Sequence, residues 1–257
     1  MTFRIVQITD IHLTEIPDTA LYGVDTTLSL ANILSAVKKL PKQPELIVAT
    51  GDLVENGSKA SYTRLRNILE GYGFPVYTLP GNHDDLTNMK QVFNGDNISC
   101  VDFVAIGHWR CLFVNSQVWQ QSHGYISDEE MSKLQHLLSE YKDHPVLVAL
   151  HHTPSKVCPS FGCQLENAET LTQLLNQHPN VKAVIAGHTH TETEENAGNH
   201  MQYTTPSTFA HVRHAQAGEP VDHDDFWSAH QLNGQLQGYR VLDLHADGKI
   251  DSEVHWV

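Results

Sequence analysis

Leu46-Ile47-Val48-Ala49-Thr50-Gly51-Asp52 is a run of four apolar residues followed by a hydroxyl, a glycine and a carboxylate. It reads as a buried strand with an acid at its tip. In an open α/β sheet such an acid lies outside the carboxyl ends of the strands, where ligands bind. The pattern recurs along the chain. Ile5–Thr9 leads to Asp10 with His12 two residues on, and Val76–Pro80 leads to Gly81-Asn82-His83-Asp84. Val146–Leu150 leads to His151-His152, and Val181–Ala186 to Gly187-His188-Thr189-His190. Five apolar strands thus each deliver residues of the type that ligate metals.

The chain has 257 residues, 40% of them hydrophobic and 18% charged, which suits a soluble globular protein with a sizeable core. No apolar run approaches the roughly 18 residues of a membrane span. Met1-Thr2-Phe3-Arg4 runs straight into a strand, so no signal peptide is expected and the cytoplasm is the expected location. A formal net charge of -14 argues against nucleic acid or an acidic membrane as the partner. The four cysteines read as reduced thiols; Cys158 and Cys163 lack the second pair that a zinc knuckle needs.

Leu28, Leu30, Ile33, Leu34, Val37 and Leu40 recur at helical spacing before Pro41, and a second helix is expected near Ser58–Gly71. The order β-α-β-α-β implies a sheet with helical crossovers. Residues 85–98 read as a short helix and loop. Two strands near Cys100–Ile106 and Arg110–Asn115 are expected to turn at Gly107-His108. Ser127-Asp128-Glu129-Glu130 is a capping box that opens a helix with Met131, Leu134, Leu137, Leu138 and Tyr141 inward. Asn167–Gln177 is a further helix. A short strand near Met201–Thr204 precedes Thr205–Gly238, a stretch of little periodicity whose anchors are Phe209, Phe226 and Trp227. This stretch reads as a long loop or small cap bordering the site, with His211 beside those aromatics. A hairpin around His245-Ala246-Asp247-Gly248 closes the chain. One domain, 1–257, is expected.

Asp, His and Asn at the strand ends make a nitrogen-and-oxygen donor set suited to Mn, Fe, Co or Zn. Asp52 is short and central, so its carboxylate could span two cations roughly 3.5–4 Å apart that share an activated water. Asn82, by itself a candidate turn residue, could ligate through a neutral amide oxygen without adding charge, which would keep a site electrophilic. Asp84 reads as the cap of the next helix.

Asp10-x-His12, Gly51-Asp52-x4-Gly57, Gly81-Asn82-His83-Asp84, His151 and Gly187-His188-x-His190 resemble, in order, the signature of the calcineurin-like metallophosphoesterases. Ile5–Leu13, Leu46–Leu53, Leu79–Asp84, Asn115-Ser116-Gln117-Val118, His178–His190, Thr205-Pro206-Ser207-Thr208 and Gly238–Val254 resemble one branch, the bacterial class III cyclic-AMP phosphodiesterases. The resemblance implies a four-layer α/β/β/α sandwich with two divalent metal ions at one edge. It assigns Asp10, His12, Asp52 and His190 to one metal, and Asp52, Asn82, His151 and His188 to the other. His151 is taken over His152 as the first residue past its strand. His83 is the implied catalytic histidine, contacting the phosphate and assisting the leaving oxygen. His12, Asp52, Asn82, His83, His151 and His190 are the implied substrate contacts. The implied reaction is hydrolysis of 3',5'-cyclic AMP to 5'-AMP by in-line attack of a metal-bound hydroxide.

Two positions bear on the substrate. Asn56 stands where the related protein Ser/Thr phosphatases place an arginine, and none of the six arginines falls in the metal-ligand motifs. A diester carries one negative charge and needs fewer cationic clamps than a monoester. Glu55 stands where those phosphatases keep an acid that orients the equivalent of His83; a solvated surface glutamate is the favoured reading here. Rival readings are a broader phosphodiesterase acting on 2',3'-cyclic nucleotides or glycerophosphodiesters, and a metal-buffering or cyclic-nucleotide-sensing protein without turnover. A homodimer is an open alternative to a monomer.

Overall fold

Along the first strand, β1 (Thr2–Ile8), Val6 and Ile8 face one apolar cluster and Ile5 faces another. That alternation, the period of a strand, sorts the central residues of the sheets into separate cores. The computed structural model describes residues 1–95, 97–155, 164–214 and 230–257. After β1 a two-residue ribbon, β2 (Ala20–Leu21) and β3 (Val24–Asp25), leads into α1 (Thr26–Lys38). The first half continues with β4 (Leu46–Thr50), α2 (Lys59–Tyr72), β5 (Val76–Leu79), α3 (Leu86–Val92) and β6 (Ile98–Cys100). Then come β7 (Phe103–Ile106), β8 (Trp109–Phe113), α4 (Asp128–Glu140), β9 (Val146–Ala149), α5 (Ala168–Asn176) and β10 (Val181–Ala186). The last elements are β11 (Thr193–Asn196), β12 (Met201–Thr204), β13 (His211–His214), β14 (His230–Asn233), β15 (Gly238–His245) and β16 (Ile250–Trp256).

One six-stranded sheet has the order β16-β15-β1-β4-β5-β6, with β1, β4, β5 and β6 parallel and the closing hairpin antiparallel at its edge. The other has the order β11-β12-β10-β9-β8-β7, parallel from β12 to β8 with antiparallel strands at both edges. Val6, Ile8, Ile47 and Ala49 pack against Leu30, Ile33, Leu34 and Val37 of α1 and Tyr62, Leu65 and Leu69 of α2. Ile5, Val48, Leu147, Ala149, Ala183, Ile185 and Leu242 fill the space between the sheets. Val146, Val148, Val184 and Ala186 pack against Leu134 and Leu138 of α4 and Leu171 and Leu175 of α5. Three cores make four layers, the expected α/β/β/α sandwich. Each fully buried aliphatic side chain contributes roughly 1.5–3 kcal/mol, so the layers are held mainly by this burial.

The parallel strands of both sheets end at the same edge. Gln7 ties the two sheets together there: its Nε2 donates to Thr50 Oγ1 at 2.9 Å and to the Ala186 carbonyl at 3.0 Å, and Thr205 Oγ1 donates to its Oε1 at 2.6 Å. α4 and α1 start on side-chain caps, with Ser127 Oγ accepting from the Glu130 amide and Asp25 Oδ1 from those of Thr27 and Leu28.

Three expectations need correction. The strand expected over Cys100–Ile106 is two strands in different sheets: β6 pairs with β5, and β7 starts the second sheet. Apolar periodicity reports a strand but not the sheet it joins. Leu28 lies on the exposed side of α1, and Leu40 falls past its end. In the Thr205–Gly238 stretch, β13 and β14 form an antiparallel ribbon, with His211 opposite Asn233. Phe226, Trp227, Cys158 and Cys163 lie outside the described residues. Among the described residues no helix is long and apolar enough to cross a membrane.

Candidate metal centre

Five loops converge where the sheets meet. Those after β1, β4 and β5 bring Asp10, His12, Asp52, Asn82 and His83 from the first sheet. Those after β9 and β10 bring His151, His188 and His190 from the second. Eight described non-glycine residues have positive φ, and five of them are Asp10, His12, Asp52, His188 and His190. A left-handed backbone costs an L-residue roughly 1–3 kcal/mol and persists only where the surroundings enforce it. Here the loops brace each other: the Asp10 amide donates to the Gly51 carbonyl at 3.0 Å and the His12 amide to the Asp52 carbonyl at 2.9 Å. Gly51 has φ +91°, and a Cβ there would lie 2.6 Å from His151 Nδ1 and 2.7 Å from the Gly81 amide. Only glycine lets these three loops approach so closely.

The donor atoms fall into two groups joined by Asp52. Asp10 Oδ2 is held by Thr9 Oγ1 at 2.7 Å and the His188 amide at 2.9 Å, while Oδ1 lies 3.4 Å from His190 Nε2. His190 Nε2 is 3.2 Å from His12 Nε2. In the second group, His151 Nε2 lies 3.2 Å from Asn82 Oδ1 and 3.1 Å from His188 Nδ1. Asp52 Oδ1 accepts from the His83 amide at 2.9 Å; its Oδ2 lies 3.7 Å from His12 Nε2 and 3.3 Å from His151 Nε2. One carboxylate oxygen therefore faces both groups.

Three imidazoles have their outer nitrogen fixed as donor. His151 Nδ1 donates to the Thr50 carbonyl at 2.8 Å, His190 Nδ1 to the Ala210 carbonyl at 3.1 Å, and His12 Nδ1 to Glu55 Oε2 at 2.8 Å. In the neutral ring the Nε2 lone pair then points inward, the arrangement that metal-ligating histidines show. With His151 neutral, its Nε2 and Asn82 Oδ1 are both acceptors, and at 3.2 Å they repel unless a proton or a cation sits beside them. Neighbouring ligand atoms about 3 Å apart are what a cation held at about 2.0–2.1 Å leaves between them. The donor set fits a pair of divalent cations.

Electrostatics agrees. Burial pushes the Asp10 carboxyl up, but His190 and His151 outweigh it and bring it down to about 2. Burial pushes the His151 imidazole down, but Asp52 and Asp10 outweigh it and raise it to about 9. Buried carboxylates here recruit positive charge, and cations would take the place of those protons. His152 is different: burial, His188 and His151 all press its imidazole well below the usual range, and its Nδ1 pairs with Ser116 Oγ at 2.9 Å. The two adjacent histidines both group with His188, and of the two His151 also groups with Asp10 and Asp52.

Several residues have roles the sequence did not reveal. Glu55, read as a surface glutamate, holds His12 and lies 3.5 Å from His83 Nδ1. Asp85, not Asp84, caps α3, accepting from the Asn88 amide at 2.8 Å. Asp84 is fully buried and accepts from the Gly81 amide at 2.9 Å, the Leu53 amide at 3.1 Å and Tyr62 Oη at 2.8 Å. It stitches the Asp52 loop to the Asn82 loop. Burial and the nearby Asp52 charge push its carboxyl up to about 6 despite these donors. Asp84→Ala leaves buried donors unpaired and is expected to cost roughly 2–4 kcal/mol in urea unfolding, with Tyr62→Phe costing about 1 kcal/mol. An Asp84→Ala protein as stable as wild type would show that the carboxylate holds nothing. Phe209, an expected anchor of the 205–238 stretch, is buried, its ring 5.6 Å from that of His12 and 6.1 Å from that of His190. His211 pairs with Thr191 and Glu192. The start of the 205–238 stretch thus supports the donor cluster, since Ala210 orients His190.

The sequence profile of calcineurin-like phosphoesterases matches residues 3–192, a span holding all five loops. The chain is 34% identical over 255 residues to a protein of Escherichia coli K12 named 3',5'-cyclic adenosine monophosphate phosphodiesterase, covering 98% of this chain and 89% of that one. It is 30% identical over 260 residues to a 3',5'-cyclic-nucleotide phosphodiesterase of Nostoc, covering 100% and 93%. Among solved structures, a dimetal phosphatase from Danio rerio superposes with a TM-score of 0.62 at 14% identity, covering 98% of both chains, which is a likeness of fold. With a family profile matched over most of the chain and relatives of 30% and 34% identity matched along nearly their whole length, the chain belongs to the calcineurin-like phosphoesterase family.

Proposed function

We propose that the chain is a dimetal phosphodiesterase that hydrolyses 3',5'-cyclic AMP to 5'-AMP. The observation that carries the dimetal reading is Asp52 Oδ2 facing two donor groups at once, 3.7 Å from His12 and 3.3 Å from His151. Asp10, His12, Asp52 and His190 would hold one cation, and Asp52, Asn82, His151 and His188 the other. When bound, the pair supplies an activated water and offsets the phosphate charge; Mn, Fe, Co and Zn all suit these donors. The names of the two curated relatives support the cyclic-nucleotide substrate.

In this reading water adds to phosphorus, the P–O3' bond breaks and the 3'-oxygen takes up a proton. In this reading His83 gives it. Its Nδ1 is anchored on the Glu55 carbonyl at 3.2 Å, leaving Nε2 for the substrate, and its ring lines the cleft beside the donor cluster. Asn56 supports a diester substrate: its side chain is spent on Glu15, Ser58 and Ser61. No arginine is among the described residues lining the cleft. The net charge of -14 suits a small-molecule substrate rather than nucleic acid, and the cytoplasm is the proposed setting.

Purified protein is expected to release 5'-AMP from cyclic AMP, to lose this on chelation and to regain it with added Mn. Turnover of 2',3'-cyclic nucleotides or glycerophosphodiesters without cyclic AMP would favour the broader enzyme. Cyclic AMP binding without product would favour the sensor.

A further inference from the structure

The cleft beside His83 has a second wall that the metal ligands do not use. Its volume is about 510 Å³, within the range of small-molecule sites. Glu55, Asn82 and His83 line it together with Trp119, Gln120 and Gln121, which come from the connection between β8 and α4. Trp119 is 45% exposed, a large aromatic surface left open at the rim.

Trp119 is nevertheless held in place. Gln117, two residues earlier, donates through Nε2 to the carbonyls of Gly81 and Asp84, which flank Asn82-His83. The Gln121 amide closes a turn on the Val118 carbonyl at 3.0 Å, with Gln120 in the left-handed region at φ 57°. The indole Cη2 lies 3.2 Å from where a Cβ on Gly57 would stand, so the ring edge occupies a notch that glycine leaves open. The loop bearing the proposed acid and the loop bearing the indole are thus one braced unit. A rigid aromatic face binds a flat ligand with little ordering cost.

We propose that Trp119 is the stacking platform for the nucleobase, with the Gln120 and Gln121 side-chain amides available to the edge of the purine. This rests on the cyclic-nucleotide reading above. A cyclic phosphate at the donor cluster puts the base one sugar ring away, and the Trp119 wall borders the same cleft as His83. Phe209 does not compete for this role, since it is only 3% exposed behind His12 and His190. Stacking accepts any base, so discrimination among purines would fall to the two amides.

The test compares Trp119→Ala, Trp119→Phe and wild type. Base–aromatic stacking predicts that W119A raises KM for cyclic AMP roughly tenfold and weakens inhibition by 5'-AMP about equally. Inhibition by ribose 5-phosphate, which lacks the base, should not change, nor should metal content; W119F should recover most of the loss. Should W119A fail to fold, Trp119→Leu against W119F makes the same comparison. Equal weakening toward 5'-AMP and ribose 5-phosphate, or no change toward either, overturns the proposal. Wild-type protein that turns over no cyclic nucleotide defeats the functional reading instead, a result separable from W119A matching an active wild type.

Discussion

Asp52→Ala is expected to strip both cations from the chain and lower turnover by roughly 10³-fold or more. His188→Ala is expected to lose only one cation. The asymmetry follows from geometry: Asp52 Oδ2 faces both donor groups, while His188 Nδ1 meets only the His151 side. Asp52 is 2% exposed, and its other oxygen accepts from the His83 amide, so alanine also releases the loop that positions His83. Asp52→Asn separates the effects, keeping an acceptor for that amide while removing the charge. Metal content by elemental analysis, beside turnover, decides the matter. An Asp52→Ala protein with both metals, beside a His188→Ala protein with none, would refute the bridging assignment.

His83→Ala should behave in the opposite way, keeping its metals and losing chemistry. General-acid help is worth typically about 10²–10⁴-fold, and good leaving groups need less of it. Cyclic AMP, whose 3'-alkoxide leaves poorly, should therefore slow far more than bis(p-nitrophenyl) phosphate. The structure supports metal retention because the His83 side chain is not in either donor group; its contacts are with Glu55 and the His12 ring. Equal losses on both substrates would make His83 a phosphate-positioning residue instead.

The donor cluster was legible in the sequence because parallel strands carry their ligands in the few residues past each tip. Asp10, Asp52, His151 and His188 could be located by finding where apolar runs stop. The four layers came from the family resemblance and not from periodicity; only the structure shows Val6 and Ile8 facing one core and Ile5 the other. What was not legible depended on partners far apart in the chain. Glu55 meets His12 across 43 residues, and nothing local distinguishes it from a surface acid. Asp84 and Asp85 are chemically identical neighbours; only the fold shows that Asp85 caps α3 while Asp84 meets Leu53 and Tyr62. Phe209 could be named as an anchor of a stretch without periodicity, but the sequence did not show that its ring packs beside His12 and His190. The switch between sheets after Cys100 was hidden for the same reason: pairing partners leave no mark on a strand's own sequence.

The most direct test is a metal titration of metal-free protein, with bound cation and 5'-AMP release followed together. The account predicts two cations bound per chain, with turnover of cyclic AMP appearing as the second site fills. Full turnover at one cation per chain, or in the presence of excess chelator, would contradict it.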